Sequence, residues 1–127
     1  MARIGLLTGG GDCPGLNPVI RGIVRKGIEH HGHEIFGFRK GWKGVLDNDA
    51  IELTRENTSG ILHRGGTILG TSRTNPFKED GGADRVRATL TEHGIDGLIA
   101  IGGEDTLGVA GRLHEEGIKV VGVPKTI

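Results

Sequence analysis

Three glycine-rich stretches hold the residues of this chain best suited to chemistry. They are Gly9-Gly10-Gly11-Asp12-Cys13-Pro14-Gly15, the segment from Gly65-Gly66 through Gly70 to Arg73, and Gly102-Gly103-Glu104-Asp105-Thr106. Each follows a short apolar run and precedes helical spacing or an open loop. A strand, a glycine loop and a helix together present free backbone N–H groups and the positive end of a helix dipole, which is an anion site. Three such loops at one sheet edge would suit a substrate carrying several phosphates. The plainer reading is that the glycines only make tight turns. No Gly-x-x-x-x-Gly-Lys-Ser/Thr occurs, so this is not a Walker-type loop. Pro14 stands where a dinucleotide fingerprint would need its third glycine, which argues against a nicotinamide oxidoreductase.

Charged residues sit in or beside these loops. Glu104 and Asp105 are consecutive carboxylates at the mouth of an apolar run. One of them could hold a Mg²⁺ that also bridges phosphates, since Mg²⁺ takes only one or two protein carboxylates. Equally, Asp105 or Thr106 could be the N-cap of the next helix, where acids are favoured anyway. Arg73 lies in Gly-Thr-Ser-Arg-Thr-Asn-Pro and could neutralise a transferring phosphoryl group, or be a solvated arginine. Lys125 follows Pro124 at a strand end, pointed at the same edge, or is an ordinary surface lysine. His30, His31 and His33 cluster at a helix end, where protonated histidine complements the dipole, and no Cys or carboxylate completes a metal set. Cys13 reads as a small residue fitting its loop.

The elements that must position these groups follow from periodicity. Ile4–Thr8 is a buried strand. Leu16, Ile20, Ile23, Val24 and Ile28 have helical spacing up to a stop at Gly32. Ile35–Phe38 is a second strand, and Lys40–Asp49 is a polar, glycine-rich connection holding Trp42. Ala50–Leu53 is extended, Thr58–His63 a short helix, and Thr67–Leu69 extended before an irregular loop to Gly82. Ala83–His93 is helical, with Gly94 as its stop. Gly97–Ile101 is the clearest strand, Leu107, Ala110 and Leu113 mark another helix, and Lys119–Val123 is the last strand. Strands alternating with helices argue a parallel sheet with right-handed crossovers.

Composition narrows the class. Of 127 residues 25 are Gly, about one in five, and 16 basic residues balance 16 acidic ones. The balance gives no electrostatic footprint for non-specific nucleic-acid binding. No apolar run reaches the length needed to span a bilayer. The start reads straight into a strand with no signal peptide, and a single cysteine fits a reducing compartment, so a cytoplasmic, globular chain is expected. The end at Pro124-Lys125-Thr126-Ile127, on the edge where open α/β sheets bind ligands, suggests the first portion of a longer protein.

Taken together, the sequence resembles the 6-phosphofructokinases. The resemblance rests on four blocks in matching order and spacing. These are Leu7 to Asn17 (Leu-Thr-Gly-Gly-Gly-Asp-Cys-Pro-Gly-Leu-Asn), Arg64 to Arg73 (Arg-Gly-Gly-Thr-Ile-Leu-Gly-Thr-Ser-Arg), Ile101 to Thr106 (Ile-Gly-Gly-Glu-Asp-Thr) and Pro124 to Ile127 (Pro-Lys-Thr-Ile). It covers the whole chain but roughly the first third to half of a family member. It implies an α/β, parallel-sheet, Rossmann-like three-layer N-terminal portion of a two-domain fold. Residues 1–127 would be the donor-binding domain, incomplete and without its second domain.

The resemblance also implies roles. Gly11, Arg73, Thr74, Gly103, Glu104, Asp105 and Thr106 would bind the phosphoryl donor, with Glu104 as the Mg²⁺ ligand. The family commonly has Asp at that position. Arg73, Asp105 and Lys125 would be catalytic, and Thr126 would touch fructose 6-phosphate. ATP-using members typically have Gly where this chain has Asp105; pyrophosphate users have Asp. A carboxylate there would repel the α-phosphate of ATP by volume and like charge, a cost of several kcal/mol at low dielectric. Lys125 is also of the pyrophosphate type.

The leading expectation is therefore a glycolytic phosphotransferase moving a phosphoryl group from pyrophosphate to fructose 6-phosphate, homo-oligomeric (dimer or tetramer) at full length. The alternatives are an ATP-dependent enzyme and a non-catalytic phosphate- or nucleotide-sensing module. The base, an Asp in the family, would lie just beyond Ile127, so the chain alone is expected to be inactive.

Overall fold

Short apolar runs spaced by helical stretches build a single five-stranded sheet. The computed structural model describes residues 2–9, 16–61 and 67–124. In chain order the elements are β1 (Arg3–Thr8), α1 (Leu16–Arg25), β2 (Glu34–Phe38), α2 (Trp42–Asp47), β3 (Ala50–Leu53), α3 (Arg55–Thr58), α4 (Gly82–Glu92), β4 (Gly97–Gly102), α5 (Glu104–Glu115) and β5 (Val120–Pro124). A π-helical turn, Lys26–His30, extends α1, and a 3₁₀ turn, Pro76–Lys78, precedes α4. The strand order is β3-β2-β1-β4-β5. β1 pairs in parallel with both β2 and β4, and β4 in parallel with β5.

The period-2 alternation of strand side chains sorts the core onto two faces. On one face Leu6, Ile35 and Ile101 pack with Leu16, Ile20 and Val24 of α1. On the other, Leu7, Phe38 and Ala100 pack with Trp42 and Val45 of α2, Val86 and Leu90 of α4, and Val109 and Leu113 of α5. The result is the three-layer arrangement that the alternating strand and helix pattern implies.

The structure departs from the sequence reading in four places. The Lys40–Asp49 connection contains α2, whose Trp42, Val45 and Leu46 are buried at i, i+3, i+4 spacing. Two glycines inside ten residues masked that pattern. β3 runs antiparallel to β2, so the sheet is parallel only over its other four strands. The 11-residue link from Phe38 to Ala50 is shorter than the dozen or more residues a parallel crossover takes. The short helix is Arg55–Thr58, so it ends where the expected Thr58–His63 helix was to begin, and residues 62 and 63 lie outside the described ones; a reciprocal capping box fixes its start, with Asn57 N–H donating to Thr54 Oγ1 and Thr54 N–H to Asn57 Oδ1. Residues 67–69 form a bend rather than a strand. The remaining strands and helices lie within a few residues of their expected bounds.

Two helical glycines separate packing from propensity. A β-carbon on Gly44 would collide with the Arg39 carbonyl oxygen, whereas one on Gly111 of α5 would meet open space. Gly44→Ala should therefore lower stability by about 1–3 kcal/mol through overpacking. Gly111→Ala should raise it by about 0.5–1 kcal/mol through helix propensity and unfolded-state entropy. Urea midpoints of the two variants should move in opposite directions.

Candidate functional site

Because β1 and β4 are parallel neighbours, their C-terminal ends emerge side by side. Gly9 N–H donates to the Ile101 carbonyl at 2.8 Å, which carries the pairing one residue past β1. A β-carbon on Gly102 would lie 2.9 Å from the Gly9 carbonyl oxygen and 2.7 Å from Thr106 Cβ. Only glycine lets the two chain ends come this close beneath the first turn of α5.

The segment after residue 66 is tied to the same edge. Thr8 Oγ1 donates to the Gly70 carbonyl at 2.9 Å and shares a hydrogen bond with Thr67 Oγ1 at 2.9 Å. Ile68 N–H donates to Asn17 Oδ1 at 2.7 Å, from the first turn of α1. Lys40 N–H donates to the Leu69 carbonyl at 2.8 Å, and the Lys40 carbonyl accepts from Ser72 Oγ at 2.6 Å. These two bonds hold Lys40 at a φ of 60°, a conformation uncommon for a side-chain-bearing residue. Thr8, Asn17 and Lys40 thus fix the backbone that leads to Arg73.

α5 begins at Glu104, with Gly103 as its N-cap and no side-chain cap hydrogen bond. The choice of Asp105 or Thr106 as the cap is thereby corrected. Gly103 has extended backbone and no side chain to compete for the first-turn donors, and Leu107 N–H closes the first helical bond, 3.0 Å from the Gly103 carbonyl. The N–H groups of the first turn have no carbonyl within the helix to receive them. Glu104 and Asp105 follow the cap directly, both exposed, where carboxylates complement the dipole.

Arg73, Thr74, Asp105 and Thr106 come together around one cavity of about 370 Å³, at the small end for ligand sites. Trp42, Ser72, Asn75, Lys78 and Val109 complete its lining. Two cations, Arg73 and Lys78, and one carboxylate, Asp105, are among the lining residues. Gly103 and Glu104 lie next to this lining without forming part of it. Gly11, Lys125 and Thr126 fall outside the described residues, as do Cys13 and Gly65-Gly66. Asn75 Oδ1 accepts from Phe77 N–H at 2.9 Å and starts the 3₁₀ turn that carries Lys78. The Arg112 guanidinium lies 3.8 Å from the Phe77 ring centroid and braces that turn against α5.

Sequence reasoning missed Trp42, Asn75 and Lys78. The Asn-Pro dipeptide was a turn signal for Asn75. Trp42 could have been found from its spacing to Val45 and Leu46. Nothing local marks Lys78, which joins the site only through the fold.

A magnesium ion is compatible with these donors. Glu104 and Asp105 are adjacent, exposed oxygen ligands, and among the described residues neither has an ion-pair partner. Among the described residues no three His, Cys, Asp or Glu side chains gather into a closed metal site. One or two carboxylates with the remaining positions left to phosphate oxygens and water is what Mg²⁺ commonly accepts. His33 is otherwise engaged: its Nδ1 accepts from Ala2 N–H at 2.9 Å, and its ring stacks on His31. No helix among the described residues is long and apolar enough to cross a membrane.

The family model for phosphofructokinase matches residues 3–127. A pyrophosphate–fructose 6-phosphate 1-phosphotransferase of Amycolatopsis methanolica is 66% identical over 98% of this chain and 37% of its own length. The protein of the same name from Streptomyces coelicolor is 56% identical, and ATP-dependent 6-phosphofructokinase 3 of that organism 53%, with the same coverage. The chain spans a little over a third of the length of these curated relatives. Among solved structures, Pichia pastoris phosphofructokinase in the T-state superposes with a TM-score of 0.85 at 36% identity, over 91% of this chain and 13% of that one. A pyrophosphate-dependent phosphofructokinase from Nitrosospira multiformis superposes at 0.87 with 20% identity, over 98% and 34%, and shares the fold.

The glycine contact at the sheet edge gives a direct test of the site's architecture. Gly102→Ala should cost about 1–3 kcal/mol, since the added methyl meets backbone as well as Thr106. Amide chemical shifts of Gly9 and Thr106 should move most. Unchanged shifts at both would show that the two strand ends do not depend on this approach.

Proposed function

The chain belongs to the phosphofructokinase family, and we propose that it is the donor-binding portion of an enzyme that transfers a phosphoryl group from pyrophosphate to the 1-hydroxyl of fructose 6-phosphate, giving fructose 1,6-bisphosphate. The observation that carries this reading is Asp105 in the lining of the same small cavity as Arg73. A carboxylate there adds volume and negative charge where a nucleotide's further phosphate would have to pass. Pyrophosphate has no such extension. The names of the most similar relatives point the same way. The ATP-dependent relative at 53% identity keeps ATP as the second reading of the donor.

Phosphoryl transfer depends mainly on positioning and charge stabilisation. Arg73 and Lys78 would hold the donor's oxygens. The first-turn N–H groups of α5 would supply further hydrogen bonds, with Thr106 beside them. Glu104 would hold a Mg²⁺, with Asp105 next to it, and the metal would supply positive charge to offset that of the donor. Gly11 would lie against the donor, Lys125 would add a further cation, and Thr126 would touch the sugar phosphate. The proton acceptor for the 1-hydroxyl and the rest of the sugar site would come from parts of the whole protein other than these residues, and the whole protein would act as a cytoplasmic homo-oligomer.

In the whole protein carrying this chain, fructose 6-phosphate should be phosphorylated with pyrophosphate as sole donor. Asp105→Gly should reduce pyrophosphate turnover by about tenfold or more and admit ATP. Turnover by the unmodified protein with ATP alone would replace this reading by the ATP-dependent one. Arg73→Ala should lower kcat by about 10²–10³-fold, as expected for loss of a charge-stabilising donor. Its unfolding midpoint should barely move, since the side chain is exposed. Residues 1–127 alone should bind the donor but show no turnover.

A further inference from the structure

One face of the sheet is only half covered. Leu6, Ile99 and Val121 are register partners on β1, β4 and β5, so their side chains point to the same face, the one packed by α1. Leu6 is fully buried with α1, Ile99 is half-buried, and Val121 is 62% exposed. The cover given by α1 thus runs out towards β5. On the opposite face α5 packs against β5 itself.

The uncovered part is a groove of about 640 Å³ beside α1. Ile4, Ile23, Ile99 and Val121 supply apolar lining, and no acidic residue lines it. Its charged and titratable lining is Lys26, His31, His33, His114 and Lys119. His33 and Lys119 directly precede β2 and β5, at the N-terminal edge of the strands. The donor cavity lies at the other end of the sheet.

Parallel strands are ordinarily buried on both faces. Two strand spacings span about 10 Å, and packed helices lie about 8–10 Å apart. The space beside α1 therefore has the width of one helix. Gly22 of α1 lines the groove, with nothing near the place a β-carbon would take. A glycine inside a helix weakens it, but lets another backbone come close.

We propose that this groove is the docking site of an amphipathic helix from the whole protein's own chain, outside residues 1–127. Its apolar side lies on β4 and β5, and its acidic residues meet Lys26, His31, His114 and Lys119. The chain spans a little over a third of the length of its curated relatives, so a protein of that size has the sequence to supply such a helix. A segment on the same polypeptide acts at a high effective concentration. The apolar walls are those of a domain core, whereas separable partners meet through more mixed surfaces. The proposal is independent of which phosphoryl donor is used.

The test uses the whole protein carrying Val121→Cys, with alkylation at residue 121 read by peptide mass spectrometry. Labelling should be about 10²-fold or more slower than in the urea-unfolded protein, and equally slow after dilution has separated any associated subunits. In the separated subunits a carbodiimide, which joins a lysine to a touching carboxylate, should link Lys26 or Lys119 to an Asp or Glu outside residues 1–127. If the variant does not fold, oxidative footprinting of Val121 in the unmodified whole protein gives the same readout. Rapid labelling of the folded whole protein would overturn the proposal, because the face would then be open. Protection lost on separating the subunits would assign the groove to a second copy and overturn it equally. Protection without a link from either lysine would overturn the acidic character given to the segment.

Discussion

The structure depends on the close approach of two strand ends. Gly9 and Gly102 bring the backbones leaving β1 and β4 into contact beneath Thr106, with Gly9 N–H bonded to the Ile101 carbonyl. A side chain at either position would push the first turn of α5 away from the sheet. With glycine at both, the free N–H groups of that turn open at the C-terminal edge, close to the end of β1. The loop that carries Arg73 is pinned to the same strand through Thr8. One steric requirement thus places the helix N-terminus and the loop cation together.

The electrostatics of the cavity are opposed by design of the fold rather than uniformly positive. Asp105 and Glu104 satisfy the helix dipole when no ligand is bound. A polyanion entering the cavity meets Arg73 and Lys78, but also Asp105. Such a site would discriminate among anions by where their charges fall, which is specificity by repulsion as well as attraction. A short diphosphate and a longer nucleotide triphosphate differ in this respect, although both carry the same transferable group. A divalent cation at Glu104 would change the balance again by neutralising part of the donor.

The asymmetry of the sheet supports this arrangement. α2, α4 and α5 cover one face and brace the cavity from below, through Trp42, Phe77 and Arg112. α1 covers part of the other face, and its first turn reaches the edge at Asn17. Towards β5 that second face is open, with Val121 62% exposed. The rigid, two-sided part of the sheet is therefore the part that carries the candidate site.

Much of this was written locally in the chain. The alternation of apolar runs and helical spacing determined β1, β2, β4 and β5, and the helices α1, α4 and α5, because period-2 and period-3.6 patterns are properties of neighbouring residues. The glycine loops and the carboxylates at Glu104 and Asp105 were legible for the same reason. Only the tertiary structure decided that β3 turns back antiparallel, since strand direction follows from how far a link can reach. It also made Trp42 and Lys78 neighbours of Arg73 and Asp105. Trp42 stands 31 positions before Arg73 and 63 before Asp105, and Lys78 stands 27 before Asp105, and no local pattern connects them. They meet because α2, the 3₁₀ turn and α5 must all bury their apolar sides against one face of the same sheet.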